Sequence, residues 1–254
     1  MKIALIQTSL IWENPAENRK YFKSKIDTIH ATIDLIILPE MFTSGFTMNP
    51  ESVAEPMDGE TVSLLKSLAK SKNCAITGSL VINDNNNYYN RMVFVFPEGN
   101  IEYYDKKHLF SLAGENKKYT AGNNKKIITF RNFKICLQIC YDLRFPVFSR
   151  NTDDYDILIY CANWPKTRIN AWNILLKARA VENMCFTIGV NRIGTDHNNL
   201  EYPGQSQAVD FLGNYLIEPN EKEGVFITTL DIAEMKNTRK KLGFLDDKDE
   251  FKLH

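Results

Sequence analysis

Apolar and polar residues alternate through Ile135-Cys136-Leu137-Gln138-Ile139-Cys140, and the alternation stops at Tyr141-Asp142-Leu143-Arg144-Phe145-Pro146. Period two is the mark of a strand, so this segment predicts a buried strand that ends at Cys140 and breaks into a polar, proline-terminated turn. Other strands are predicted at Ile3 to Gln7, Cys74 to Ile82, Asp156 to Cys161, Cys185 to Val190 and Gly224 to Ile232. The unbroken run Leu35-Ile36-Ile37-Leu38 predicts a strand covered on both faces. Three hairpins are expected, turning at Pro97 to Asn100, at Arg131 to Phe133 and at Leu212 to Asn214. Helical spacing recurs between the strands. Asn14-Pro15 is a cap and first-turn signal, followed by Phe22, Ile26, Ile29 and Ile33. Val62, Leu65, Leu68 and Ala69 share one face of a helix over 60–72, and a further helix is expected over 170–183. Asn83 to Asn87 reads as a surface loop tip, and the last strand as followed by a charged tail. The pattern is that of an α/β or α+β layered fold, with two sheets and helices outside them.

The length of 254 residues fits one domain, 1–254, with a core large enough to need no crosslinks. Lys plus Arg and Asp plus Glu are 31 each, so charge offers no argument for a nucleic-acid or membrane partner. No apolar stretch approaches the roughly 20 residues of a membrane span. Five cysteines without a CxxC pair, and histidines at 30, 108, 197 and 254 without zinc-type spacing, suggest a reduced cytoplasmic chain with no metal.

Several strands end in a residue fit for chemistry, which is where open α/β sheets place their sites. Glu40 follows the run ending at Leu38, Lys107 follows the strand ending near Tyr104, and Cys140 closes its own strand. Each has an ordinary reading: a solvated strand end for Glu40, a basic face for Lys107, a loop charge for Glu115, a buried core thiol for Cys140. Together they hold what amide cleavage by a thiol needs. A thiol must lose its proton to attack a carbonyl carbon. A carboxylate can take that proton and hand it to the departing nitrogen. An ammonium can steady the oxyanion, and a second carboxylate can hold the ammonium.

Pro39-Glu40-Met41-Phe42, Lys106-Lys107-His108-Leu109-Phe110 and Ile139-Cys140-Tyr141-Asp142-Leu143-Arg144-Phe145-Pro146 resemble the three motifs of the nitrilase superfamily, the carbon–nitrogen hydrolases. Lys177 to Asn183, Val190-Asn191-Arg192 and Gly204-Gln205-Ser206 fit as well, so the resemblance spans nearly the whole chain. It implies a four-layer α-β-β-α sandwich, a homodimer, no cofactor, and Glu40, Lys107, Cys140 and Glu115 as the catalytic set. Pro39 through Met48, Gly114-Glu115 with Tyr119 and Gly122, and Asn163-Trp164-Pro165 look most like the bacterial omega-amidase branch. That branch implies hydrolysis of short dicarboxylic monoamides such as 2-oxoglutaramate and succinamate. Phe42, Phe110, Phe145 and Trp164 flank the motifs as candidate pocket walls, and the main-chain N–H near Tyr141 as an oxyanion donor. Arg144 is a candidate for the substrate's distal carboxylate, with a structural ion pair to Asp142 or another acid as its alternative. A general aliphatic amidase, a nitrilase, an N-carbamoyl amino acid hydrolase and a non-catalytic binding protein on the same fold remain as competing readings.

Overall fold

In the computed structural model, which describes residues 1–251, strand order follows from which runs are apolar on one face and which on both. The chain opens with β1 (Lys2–Gln7), α1 (Pro15–Asp27), β2 (Leu35–Ile37), α2 (Glu60–Lys72), β3 (Ala75–Asp84), β4 (Asn87–Val95) and β5 (Ile101–Asp105). It continues with β6 (Lys126–Phe130), β7 (Phe133–Ile139), the short α3 (Pro146–Ser149), β8 (Ile157–Ala162), α4 (Ile169–Asn183) and β9 (Phe186–Asn191). Then come β10 (Ile193–Thr195), β11 (Glu201–Pro203), β12 (Gln207–Val209), β13 (Tyr215–Ile217), β14 (Gly224–Thr229) and α5 (Ile232–Leu242). One six-stranded sheet runs β14-β1-β2-β3-β4-β5 and the other β13-β12-β9-β8-β7-β6, with β10 and β11 as a separate ribbon. The short apolar strands pair in parallel at the centre of each sheet, β1-β2-β3 in one and β7-β8-β9 in the other.

Alternation along the strands sorts side chains between layers. Ile3 and Leu5 of β1 pack against Ile135, Leu137 and Ile139 of β7 in a core between the sheets. Ala4 and Ile6 face the other way, onto Phe22 and Ile26 of α1 and Val62, Leu65 and Leu68 of α2. On the far side, Cys136, Leu158 and Tyr160 pack under Trp172 and Leu176 of α4. Each such large apolar side chain contributes about 1.5–3 kcal/mol when fully buried. This is the expected four-layer α-β-β-α sandwich. Among the described residues no helix is long and apolar enough to cross a membrane.

Three local readings change. The helical spacing of Ile29 and Ile33 does not extend α1, which stops at Asp27. Both side chains are buried in the irregular segment leading to β2. The asparagine-rich tip at 83–87 is tighter than expected. Asn85 and Asn86 alone make the turn, both with positive φ, and β3 and β4 pair right up to Asp84 and Asn87. That φ pattern suits a two-residue hairpin and asparagine tolerates it. The charged tail carries a helix, α5, whose Asp231 cap accepts hydrogen bonds from the Ala233 and Glu234 amides. Ile232 therefore belongs to that helix and not to the last strand. His254, one of the four histidines, lies outside the described residues.

Candidate active site

The carboxyl ends of central strands from both sheets converge on one spot. Beyond β2 the chain turns at Glu40, whose neighbour Met41 has φ 43°. That turn is tied to β3, where the Met41 amide donates to Ser79 Oγ at 2.8 Å. Beyond β7 the chain turns at Cys140, itself at φ 44°. A non-glycine residue there carries backbone strain of order 1–3 kcal/mol, held only because the surroundings over-determine it.

Those surroundings are explicit. Asp142, fully buried, accepts from the Ile139 amide at 2.9 Å and from the Tyr104 hydroxyl at 2.8 Å. Its other oxygen accepts from the His108 amide at 3.0 Å and lies 2.7 Å from His108 Nδ1. One carboxylate thus fastens the cysteine turn to β5 and to the loop after it. From behind, Arg179 of α4 donates to the Leu143 carbonyl at 2.6 Å. This gives a physical task to the 177–183 segment.

The ammonium at the centre belongs to Lys106. Its Nζ lies 2.8 Å from Glu40 Oε1 and 3.0 Å from both oxygens of Glu115, and all three side chains are fully buried. Lys107, the residue expected from the sequence, is not in this cluster. It lines a separate depression with His108, Asn123 and Phe145. The reason is strand parity. Tyr104 points into the core between the sheets, so Lys106, two residues on, continues the inward face, whereas Tyr103 and Asp105 share the opposite face with Arg91. That parity was the signal available in the sequence, and the Lys-Lys doublet concealed it. Gly122 closes over this point: its amide donates to the Lys106 carbonyl at 2.9 Å, and a Cβ on it would lie 2.1 Å from the Asp105 carbonyl oxygen.

Two asparagines that sequence reasoning missed complete the cluster. The Asn90 side-chain amide donates to Glu40 at 2.8 Å and to Glu115 at 3.2 Å. The Asn163 main-chain N–H donates to Glu40 Oε2 at 2.8 Å and its side chain to the Glu40 carbonyl at 2.7 Å. Glu115 also accepts from the Phe110 amide at 2.6 Å. Asn90 stood in no motif and Asn163 only within the Asn163-Trp164-Pro165 segment, with no role given to either, because those roles depend on strands brought together from distant parts of the chain.

Charge in this dry cluster is set by its neighbours. Burial works against the Lys106 ammonium, but Glu115 and Glu40 outweigh it and hold its pKa well above the ordinary value. Burial raises the Glu115 carboxyl, Lys106 pulls it back, and Glu40 adds to the rise. The Cys140 thiol is pushed well up by burial and then by Glu40's negative charge, against the pull of Lys106. Cys140 is therefore a neutral thiol beside a buried ion cluster, its Sγ 3.9 Å from the Asn163 carbonyl.

Cys140 and Lys106 open onto a cavity of about 620 Å³. Phe110, Tyr141, Arg144 and Trp164 line it, as expected. Phe42 does not. It is buried in the outer core, its ring edge-on to Phe22 at 5.0 Å, because the Glu40 turn directs it away from the cavity. Phe145 stacks flat on His108 at 3.7 Å and faces the smaller depression. Phe46 takes the place expected of Phe42, with its ring 5.1 Å from Lys106 Nζ. Arg144 makes no ion pair with Asp142, whose oxygens are already occupied. Its guanidinium lies over the Trp164 ring at 5.1 Å. The rim adds Trp12 and His197, stacked at 5.9 Å, from the segment after β1 and from the ribbon tip.

Comparison with known proteins gives this arrangement a family. The family model described as carbon-nitrogen hydrolase matches residues 2–240. The chain is 38% identical to an omega-amidase, YafV, of Yersinia enterocolitica, over 100% of this chain and 98% of that one. It is 32% identical to a 2-oxoglutaramate amidase of Bacillus subtilis, over 96% of each. Its backbone resembles the crystal structure of XC1258 from Xanthomonas campestris, a CN-hydrolase superfamily protein with an arsenic adduct in the active site. There the TM-score is 0.97 at 40% identity, covering 100% of this chain and 99% of that one. With a thiol, two carboxylates and an ammonium gathered at one spot, and with a family match along nearly its whole length, the chain belongs to the carbon–nitrogen hydrolase family.

Proposed function

We propose that the protein is an omega-amidase-type hydrolase that cleaves the terminal amide of a small dicarboxylic monoamide, such as 2-oxoglutaramate or succinamate, through a cysteine thioester. The observation that carries the reading is the Cys140 thiol beside the fully buried Glu40–Lys106–Glu115 cluster at the floor of a closed-backed cavity. Glu40 takes the Cys140 proton as the sulfur attacks the amide carbon. The oxyanion is met by the Lys106 ammonium and by the main-chain N–H of Tyr141. As the tetrahedral intermediate collapses, Glu40 returns the proton to nitrogen, the C–N bond breaks and ammonia leaves. Water then attacks the thioester with Glu40 as base, releasing the acid and restoring the thiol. Glu115 fixes Lys106 and keeps it charged, and Arg144 faces the substrate's distal carboxylate. The names of the omega-amidase and 2-oxoglutaramate amidase relatives support this substrate class over a nitrile or an N-carbamoyl amino acid.

Ammonia release from 2-oxoglutaramate and succinamate tests the reaction. Cys140→Ala is expected to lower it roughly 10,000-fold or more, the scale set by removing a catalytic nucleophile. Undiminished turnover in that variant would sink the nucleophile assignment. A side-by-side panel with a nitrile and an N-carbamoyl amino acid discriminates the substrate class.

A further inference from the structure

The ionic groups lining the cavity divide into those already satisfied and those left free. Lys106 is taken up by Glu40 and Glu115. Asp196 accepts from the Asn198 and Leu200 amides and from the Tyr202 hydroxyl. It also shares the field of the buried Arg192 behind Tyr202. Glu13 accepts from the Thr47 hydroxyl. Two cations remain. Among the described residues neither Arg144 nor Arg168 has a carboxylate within ion-pair distance, although both line the cavity. Each rides on an aromatic wall: Arg144 over Trp164 and Arg168 over Phe110, both at 5.1 Å. The walls are continuous. The Trp164 indole N–H donates to the Arg168 carbonyl at 2.8 Å, and Phe110 meets Tyr141 edge-on at 4.9 Å. Stacking limits where each guanidinium can swing while leaving its N–H edge unpaired.

We infer that Arg168 acts with Arg144 as a two-armed clamp that selects substrates with an anionic tail, Arg168 being a specificity-determining residue. A carboxylate lying between two guanidiniums can accept from both forks, and that gain is absent for a neutral tail of the same shape. Such a site favours the anionic tail over its uncharged analogue, which leaves the two stacked guanidiniums with only water as a partner. The identity of the substrate's other end rests on the amide-cleavage reading, whereas recognition of the anion does not.

The test therefore has two readouts. The first is protection of Cys140 from iodoacetamide, followed by mass spectrometry of its peptide, with succinate or the neutral, chain-matched butane-1,4-diol added at matched ionic strength. Succinate is expected to protect the wild-type protein at roughly tenfold lower concentration than butane-1,4-diol, a ratio lost in Arg168→Gln and partly restored in Arg168→Lys. The second is kcat/KM for succinamate relative to butyramide, which falls about tenfold in Arg168→Gln and is unmoved in Lys107→Gln, a substitution outside the cavity. Equal protection by succinate and butane-1,4-diol in the wild type overturns the clamp, whatever amides are cleaved. Preference for succinate retained in Arg168→Gln overturns the role of Arg168. Protection by succinate without hydrolysis of any amide upholds the clamp and removes the amidase reading instead.

Discussion

The floor and the rim of the cavity are built on opposite principles. The floor consists of Glu40, Lys106 and Glu115, with no solvent exposure and one ammonium shared by two carboxylates within 3.0 Å. Glu40 follows the central strand β2 and Lys106 the edge strand β5, while Glu115 sits in the loop beyond β5. The rim consists of half-buried or exposed groups on connecting segments: Trp12, Arg144, Arg168, His197. At the floor the low dielectric makes each charge count, so a small displacement changes the chemistry. At the rim, solvent screens the same kinds of groups, which fits them for recognition under the proposed function. Substitutions at the floor should therefore act on kcat, and those at the rim on KM.

The largest expected effect sharpens that contrast at two adjacent lysines. Lys106→Met should lower kcat roughly 100- to 1,000-fold by removing an oxyanion donor. It should also destabilise the fold by about 3–5 kcal/mol, because two buried carboxylates lose their partner. Lys107→Met should leave both within about twofold, as steady-state kinetics and urea denaturation would show. An inactive Lys107→Met with an active Lys106→Met would reverse the assignment. Next in size is the state of the thiol. Burial and the Glu40 charge raise the Cys140 pKa, so the neutral form persists at pH 7. Its thiolate fraction, and with it the intrinsic rate of alkylation, should climb about tenfold per pH unit through pH 8 without levelling. A plateau beginning near pH 7 would mean a preformed thiolate and no need for a base.

Asp142 lies between floor and rim in effect, since it is buried behind the cavity and ties the Cys140 turn to the segments on either side of Lys106. Asp142→Asn should lower kcat roughly tenfold by loosening that alignment, with KM changed less than twofold. A shift confined to KM would show that the turn is positioned by other contacts. The smallest effect belongs to the rim. Trp12→Ala removes the stack on His197 and should raise KM about three- to tenfold, leaving kcat within about twofold. A large fall in kcat there would erase the distinction between the two regions.

Much of this was legible in the residues. The strand ending at Cys140, the helix over 60–72 and three hairpins follow from local periodicity and turn chemistry, and they appear where the pattern puts them. Glu40, Glu115 and Cys140 were recognisable as motif residues, and the structure brings them together. The neighbouring lysine was misread because a doublet hides parity until the strand's inward face is known. Phe42 was misread as a pocket wall for a related reason: the left-handed turn at Met41 sends the following side chain into the outer core.

By itself the sequence determined the elements and the kinds of groups available, because periodicity, capping and turn formation are local and act within a few residues. Only the tertiary structure decided which lysine sits between the carboxylates, that Asn90 and Asn163 hold Glu40, and that Arg168 lines the same cavity as Arg144. Those relations join residues separated by as many as 123 positions, and they exist only once two sheets have packed face to face and expelled the water between them.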